Sequence, residues 1–332
     1  MQKVYDVYGI GNALVDMEFE VSSEFLHENN VEKGTMTLVD EKRQNELISA
    51  LSKHVTKKQS GGSAANTMIA LSQFGGKGFY SCKVANDELG DFYMNDLREA
   101  NVDCNLQEDN RESGETGKCL VMVTPDADRT MNTFLGITSS FSESEIVESA
   151  LKSSEWLYIE GYLVTSEDGL RAMIQAKKMA ERNGVKTALT FSDPNMVKFF
   201  REGMDQVIGA SVDLLFCNED EALAYTQTDH IKAARELLKK DAKTFVITMG
   251  KNGAIVFDGD TFIDIEAYPV KAIDTNGAGD MFAGAFLYGI THGHTYAQAA
   301  KIASLASSKI VSKFGPRLTQ VEVQKIIAEL FG

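Results

Sequence analysis

Asp274-Thr-Asn-Gly-Ala-Gly-Asp280-Met-Phe-Ala-Gly-Ala-Phe286 joins a glycine-rich turn, a carboxylate and an apolar run that opens straight after the carboxylate. Met281, Phe282, Ala285 and Phe286 have helical spacing, so the turn is expected at a helix N-terminus. Gly277 and Gly279 let a ligand approach the backbone, because they carry no Cβ. The unpaired N–H groups of residues 277 to 280 then point outward, and the helix dipole favours an anion there. Asp280 opposes an anion's charge unless it takes a proton from whatever attacks that anion. A phosphoryl group held by amides beside a carboxylate base is the minimal equipment for phosphoryl transfer to an alcohol. The other reading of the same residues is a plain strand-to-helix turn with Asp280 as its N-cap.

Upstream of this turn, strands and helices alternate from residue 140 onward. Strands are expected at Trp156–Ile159, Lys186–Thr190, Leu214–Cys217 and Thr244–Thr248, then a hairpin of Gly253–Phe257 and Thr261–Ala267. Helices are expected at 143–152, 166–183, 196–209, 219–226, 230–239, 281–292, 295–311 and 319–330. This alternation predicts a parallel sheet covered on both faces. Polar residues recur where the strands end: Glu160, then Ser192-Asp193-Pro194-Asn195, Asn218 to Glu221, Thr248 to Gly253, and Asp274. Five such loops in register place a site along one sheet edge. Asn218 and Glu221 share a face of a helix's first turn and suit either a hydrated Mg²⁺ or a capping pair.

The first third of the chain is less regular. Val4 to Leu14 reads as a buried strand with Gly9-Ile-Gly11, but Leu14 stands where a dinucleotide fingerprint needs its third glycine. Val15 to Val21 alternates as a half-exposed strand, and Asp16 at its start is either a ligand-binding carboxylate or a turn cap. Ser60-Gly61-Gly62-Ser-Ala-Ala-Asn66 opens another helix. It suits either close approach by a hydroxyl-rich ligand or tight packing on the sheet. Arg129 lies among residues of burial type and needs a partner, with phosphate, Asp126 and Asp128 as candidates. The short strands in residues 12–40 and 117–134 fit no βαβ series and are expected to form a small sheet over one edge of the main domain, a lid.

The chain has 332 residues, 43% of them hydrophobic, enough for one large domain. A net charge of −15 argues against nucleic-acid or anionic-membrane surfaces. Cys82, Cys104, Cys119 and Cys217 are far apart, which suggests free thiols in a reducing cytosol. No secretory leader or membrane-length apolar run is visible, so a cytoplasmic protein is expected. A Gly-x-x-x-x-Gly-Lys-Ser/Thr phosphate loop is absent, and His292 and His294 read as a solvated helix end.

Four ordered motifs now carry a resemblance. Gly61-Gly62-Ser-Ala-Ala-Asn66 and Asp274-Thr-Asn-Gly-Ala-Gly-Asp280 resemble the two signatures of the PfkB family, the ribokinase and adenosine kinase group of small-molecule kinases. Asn218-x-x-Glu221 resembles its Mg²⁺-linked motif, and Thr248-x-Gly250-x-x-Gly253 the turn it uses near ATP. The resemblance implies an α/β fold: a ribokinase-like three-layer α/β/α sandwich with a central, mostly parallel sheet and a small β-sheet lid, one domain over residues 1–332. It implies ATP-dependent phosphorylation of a primary hydroxyl, with Asp280 as base and the amides of Gly277, Ala278 and Gly279 around the γ-phosphate. Asp16, Gly62 and Asn66 would then grip the acceptor's ring hydroxyls, and Arg129 would clamp phosphate. Asn195 and Glu221 would order phosphate and Mg²⁺, and Asp274 with residues 312–315 would be the place for K⁺. Asn276 and the Gly11 to Asp16 stretch look closer to adenosine kinase than to ribokinase. Leu14, Met36, Leu38 and Phe134 could line a slot for a nucleoside base. A free-sugar kinase is the alternative, and a non-catalytic sugar or nucleotide sensor on the same scaffold is the rival from another class. Lids of this kind stay free in monomers or clasp a second subunit in dimers.

Overall fold

A computed structural model describes residues 3–54, 56–108, 110–126 and 129–331. Fourteen strands are present among these residues: β1 (Tyr5–Ile10), β2 (Leu14–Glu20), β3 (Met36–Leu38), β4 (Thr56–Gly61), β5 (Gly78–Ser81), β6 (Val102–Cys104), β7 (Gly117–Val123), β8 (Arg129–Phe134), β9 (Ser154–Glu160), β10 (Lys186–Thr190), β11 (Val212–Asn218), β12 (Ala242–Thr248), β13 (Ala254–Phe257) and β14 (Phe262–Ile265). Nine form one sheet in the order β14-β13-β12-β11-β10-β9-β1-β5-β6. All its pairings are parallel except β12 with β13 and β13 with β14, the expected hairpin.

Each central strand is buried on both faces, so its apolar residues divide between two cores. In β1 Val7 faces one core and Tyr8 and Ile10 the other; in β9 Trp156 and Tyr158 divide from Leu157 and Ile159 in the same way. This two-sided burial is why the strands read as continuous apolar runs rather than alternating ones. The helices Ser63–Gln73, Ala278–Thr291 and Tyr296–Val311 cover one face, and Glu167–Arg182 and Arg201–Ile208 the other. Gly284 lets the first two pack closely, since a Cβ there would stand 2.4 Å from the Thr67 carbonyl oxygen. Among the described residues no helix is long and apolar enough to cross a membrane.

The second sheet has five strands in the order β3-β8-β7-β2-β4. It contains both expected lid segments and a third that the pattern did not reveal, β4, paired antiparallel to β2. Thr-Lys-Lys-Gln-Ser-Gly has no apolar alternation because β4 is an edge strand, where lysines are common. β6 is likewise a short edge strand, at the far end of the large sheet. The helices expected at 143–152 and 196–209 are each broken, into Glu143–Glu145 with Glu148–Lys152 and Pro194–Phe199 with Arg201–Ile208. The outer face of the lid is closed by the helices Ser23–Glu28 and Glu41–Leu51, which bury Phe19, Leu26, Leu47, Leu51, Leu120 and Met122. The lid is pinned to the body through β4: Arg317 makes a paired contact with Asp96 at 2.9 and 2.6 Å and donates to the Ser60 carbonyl oxygen at 2.9 Å.

Candidate active site

The order of the large sheet reverses beside β1, whose neighbours are β5 on one side and β9 on the other. Ligand sites of open α/β sheets lie at such reversals, beyond the carboxyl ends of the strands. A cavity of about 850 Å³ occupies this place, floored by the sheet edge and roofed by the lid. It lies in the range of small-molecule sites.

The Ala278–Thr291 helix enters this cavity with its N-terminus. Gly277 caps it at φ 73°, a left-handed conformation that favours glycine, and a Cβ there would meet Pro316 at 2.4 Å. Gly277, Gly279 and Asp280 line the cavity. The Ala278 N–H turns instead toward the Thr275 carbonyl oxygen at 3.3 Å, and Ala278 is not among the residues that line the cavity. Asp280 is held from the neighbouring helix: Ser63 Oγ donates to Oδ1 at 2.6 Å and Asn66 Nδ2 to Oδ2 at 3.2 Å. Burial pushes its pKa up to about 6, against the pull of those two donors. Asp280 is thus ionised at neutral pH yet more basic than a free aspartate, the balance a general base needs.

Around Asp280 stands a set of polar groups able to bond hydroxyls. Asn66 is 7% exposed, and among the described residues its buried Oδ1 has no partner, an acceptor left for a donor. Gly62, at φ 97°, lies with its Cα hydrogens against Asn12, where a Cβ would come within 2.2 Å of the carbonyl oxygen. The Asp16 carboxylate folds over Gly61, and burial raises its pKa to about 7 although Arg129 and Arg317 pull it down. Glu160 was legible only as one of several polar strand ends. It is 1% exposed and accepts from Ala64 N at 2.8 Å and from Asn12 N and Nδ2 at 3.2 Å each. Burial pushes its pKa up to about 7. Glu160 ties the β1 exit to the helix that carries Asn66. The available signal was an acid directly after the apolar run Trp156–Ile159.

At the other end of the cavity lie Thr248, Asn218, Glu221 and Asp193. Asn218 and Glu221 form a reciprocal cap, Asn218 Nδ2 donating to Glu221 Oε1 at 2.8 Å and Asn218 N to Oε2 at 2.9 Å. Burial, with Asp193 nearby, raises the Glu221 pKa to about 7. Among the described residues no cluster of three or more His, Cys, Asp or Glu could hold a metal by itself. With both Glu221 oxygens engaged, the pair suits a Mg²⁺ that arrives hydrated on a phosphate chain and contacts protein through water. Asn195 is exposed and does not line the cavity; Ser192 and Asp193 do, because the chain turns at Ser192 with φ 68°. Gly250 and Gly253 lie outside it and shape the turn into β13, where a Cβ on Gly253 would stand 1.9 Å from the Ile265 carbonyl oxygen.

The lid supplies an apolar slot lined by Leu14, Met36, Leu38, Val121, Met131 and Leu135. Phe134 is not part of it. Side chains alternate along β8, so Arg129, Met131 and Thr133 face the cavity while Phe134 faces away, under the Lys118 ammonium group. Thr133 Oγ1 donates to Cys119 Sγ, which satisfies it inside the lid.

Arg129 is the only cationic side chain lining the cavity among the described residues. Its Nη2 pairs with Glu18 Oε2 at 3.0 Å and Asp274 Oδ2 at 2.6 Å, rather than with Asp126, which Lys33 takes; Asp128 lies outside the described residues. Asp274 also accepts from Asn276 N and Gly315 N, both at 3.0 Å. The carboxylate that the resemblance assigned to K⁺ is therefore already neutralised by a guanidinium, and these residues do not fit a K⁺ ion on that side chain.

The model of the pfkB family of carbohydrate kinases matches residues 35–322. The structure superposes on a probable sugar kinase from Rhizobium etli with a TM-score of 0.90, 32% identity and full coverage of both chains. It superposes on the adenosine kinase of Sinorhizobium meliloti with a TM-score of 0.89 and 32% identity, over 98% of this chain and 99% of the other. In sequence it is similar to the adenosine kinase of Saccharomyces cerevisiae, 27% identical over 92% of this chain and 95% of the yeast protein.

Proposed function

Because the chain belongs to the pfkB family of carbohydrate kinases, phosphotransferases that act on hydroxyl groups, we propose that it transfers the γ-phosphoryl group of Mg-ATP to the primary hydroxyl of a ribonucleoside. The observation that carries the reading is Asp280. It stands in the first turn of the helix whose Gly277 and Gly279 open into the cavity, and it is bound by Ser63 and Asn66 from the hydroxyl-binding side. An acceptor hydroxyl bound there gives its proton to Asp280 as its oxygen attacks the γ-phosphorus. The bond from phosphorus to the bridging oxygen breaks, and ADP leaves. The Gly277 and Gly279 amides receive the charge that gathers on the phosphoryl oxygens, where loss of one such donor costs about 2.7–4 kcal/mol. Glu221 and Asn218 would orient the waters of Mg²⁺, which supplies charge neutralisation along the phosphates.

The apolar slot favours a nucleoside over a free sugar, since Leu14, Met36, Leu38, Val121, Met131 and Leu135 offer a base contact area and few hydrogen bonds. The second reading, a free sugar, draws on the sugar kinase from Rhizobium etli and on hydroxyl-binding groups that would serve a bare ring equally well. The charge of the cavity speaks against a phosphorylated acceptor in either case. Seven carboxylates line it, Asp16, Asp126, Glu160, Asp193, Glu221, Asp274 and Asp280, against the single cation Arg129 among the described residues. We also infer a monomer, because the lid face that would clasp a second lid is covered by its own two helices.

The test is ADP release from Mg-ATP with adenosine, inosine, guanosine, cytidine, ribose, fructose and fructose phosphates, run beside Asp280→Asn. Turnover with a nucleoside and not with ribose supports the reading. Turnover with a sugar alone makes the slot a lid contact and moves the protein to the sugar kinases. Silence with every acceptor, while acceptors still bind, supports the sensor instead.

A further inference from the structure

Arg129 begins β8 in the lid, Glu18 lies on β2 in the lid, and Asp274 belongs to the body. β7 runs between β2 and β8, so the Arg129 side chain must reach across β7 along the inner face of the lid to meet Glu18. A long side chain in that place would gain rotamer freedom by turning out to solvent. Glu18 opposes this. The Glu18 side chain is 21% exposed, that of Arg129 12% and that of Asp274 1%. Both carboxylates bind the same nitrogen, Nη2, at 3.0 and 2.6 Å. One nitrogen of the guanidinium is thus held by two carboxylates, in the one cationic side chain that lines the cavity among the described residues.

We propose that Glu18 is a positioning residue for phosphoryl transfer: it holds the Arg129 guanidinium across the inner face of the lid so that this cation, which lines the cavity, stays beside the transferring phosphoryl group. Asp274 anchors the same guanidinium to the loop that leads into the Gly277 turn, so the lid and the anion turn close as one unit. Neither the four motifs nor the family likeness marks Glu18. The inference rests on the proposed kinase reading for its chemistry, but its geometry stands independently of the acceptor.

The experiment is a double-mutant cycle with Glu18→Ala, Glu18→Gln and Arg129→Met, singly and in combination. Each protein is measured for kcat and acceptor KM, and for the ratio of Kd values of Mg-ADP and Mg-AMP-PNP by calorimetry. Glu18→Ala is expected to lower kcat about tenfold or more, within the 10²-fold range of a misplaced catalytic group, with acceptor KM changed less than twofold. Glu18→Gln, which still accepts from Nη2, should recover most of that loss. In the Arg129→Met background, Glu18→Ala should cost nothing further. The preference for AMP-PNP over ADP should shrink in both single variants and no further in the double. An unchanged kcat in Glu18→Ala, an equal loss in the Arg129→Met background, or a loss confined to KM would overturn the proposal. If the wild type is silent with every acceptor, the kinase reading fails. The nucleotide ratio then still decides on Glu18, since a ratio unmoved by Glu18→Ala overturns the proposal.

Discussion

Gly62→Ala tests whether the acceptor end of the cavity is held as tightly as its geometry requires. The new Cβ would lie 2.2 Å from the Asn12 carbonyl oxygen. An ordinary carbon–oxygen contact is about 3.3 Å, so one partner must move by about 1 Å. The oxygen belongs to a backbone that cannot swing aside. It accepts from Tyr80 Oη at 2.9 Å, and the Asn12 amide is bound to Glu160. The substitution also puts an L-residue at φ 97°, which costs about 1–2 kcal/mol. A displacement of about 1 Å at the groups that orient the acceptor corresponds to about 10²-fold in kcat/KM. Steady-state ADP release and thermal denaturation read the two effects, with an expected Tm loss of about 4 °C or more. Gly279→Ala is the control, because its Cβ meets nothing within 4 Å and its backbone is helical. There Tm should hold or rise, since alanine is the better helix former by about 1 kcal/mol, while turnover falls as the methyl enters the phosphate's space. A Gly62→Ala protein with native Tm and native kcat/KM would refute the account of this site.

Asp280→Asn should lower turnover by about 10²–10⁴-fold, as loss of a general base does, while the acceptor Kd measured by calorimetry stays within a few-fold. With Asp280 at about 6, kcat/KM should rise with pH through that value, as the ionised form is the base. The ligand-free protein should show the opposite trend in Tm. Asp16, Glu160 and Glu221 at about 7 bind protons more tightly folded than unfolded, so their contribution is full below about pH 4 and is lost as pH rises through 7; a Tm that is flat or rising from pH 5 to 8 would contradict this. Met131→Ala should raise the nucleoside KM by about tenfold, from roughly 1.5 kcal/mol of lost apolar burial, whereas Phe134→Ala on the outer side of β8 should change it less than twofold.

What the sequence disclosed follows from how local each signal is. The turn at Gly277, the helix after it and the strand ends at Asn218 and Thr248 are contiguous patterns, and all were readable. Phe134 was misplaced by one residue's worth of alternation. A strand written Arg-Thr-Met-Asn-Thr-Phe has no polar face to fix its phase, and only the pairing with β7 decides that Met131 and not Phe134 faces the cavity. Asn195 was misplaced because the turn at Ser192, φ 68°, is a rare conformation for a residue with a side chain and leaves no pattern. Arg129 was marked as needing a partner, yet Glu18 and Asp274 lie 111 and 145 positions away along the chain. No local rule names such partners. β4 escaped because an edge strand carries the composition of a loop.

The charge of the cavity then constrains how the two substrates are told apart. Asp16, Glu160 and Asp280 gather at one end, where buried carboxylates lower their own cost by accepting hydrogen bonds. A neutral, polyhydroxylated acceptor supplies those donors and adds no charge. Asp193 and Glu221 stand at the other end, where hydrogen-bond donors from water do not suffice against a polyphosphate and a divalent cation is needed. Free ATP would meet repulsion at both ends, Mg-ATP at neither in full, and a phosphosugar would set its phosphate against the first group of carboxylates. The burial that raises Asp280 to about 6 is the same burial that makes its neighbours averse to a second anion. On the proposed reading, base strength and selection for an uncharged acceptor would be two results of one desolvated pocket, and a substitution that opens the pocket to water, such as Leu14→Ser in its wall, should weaken both together.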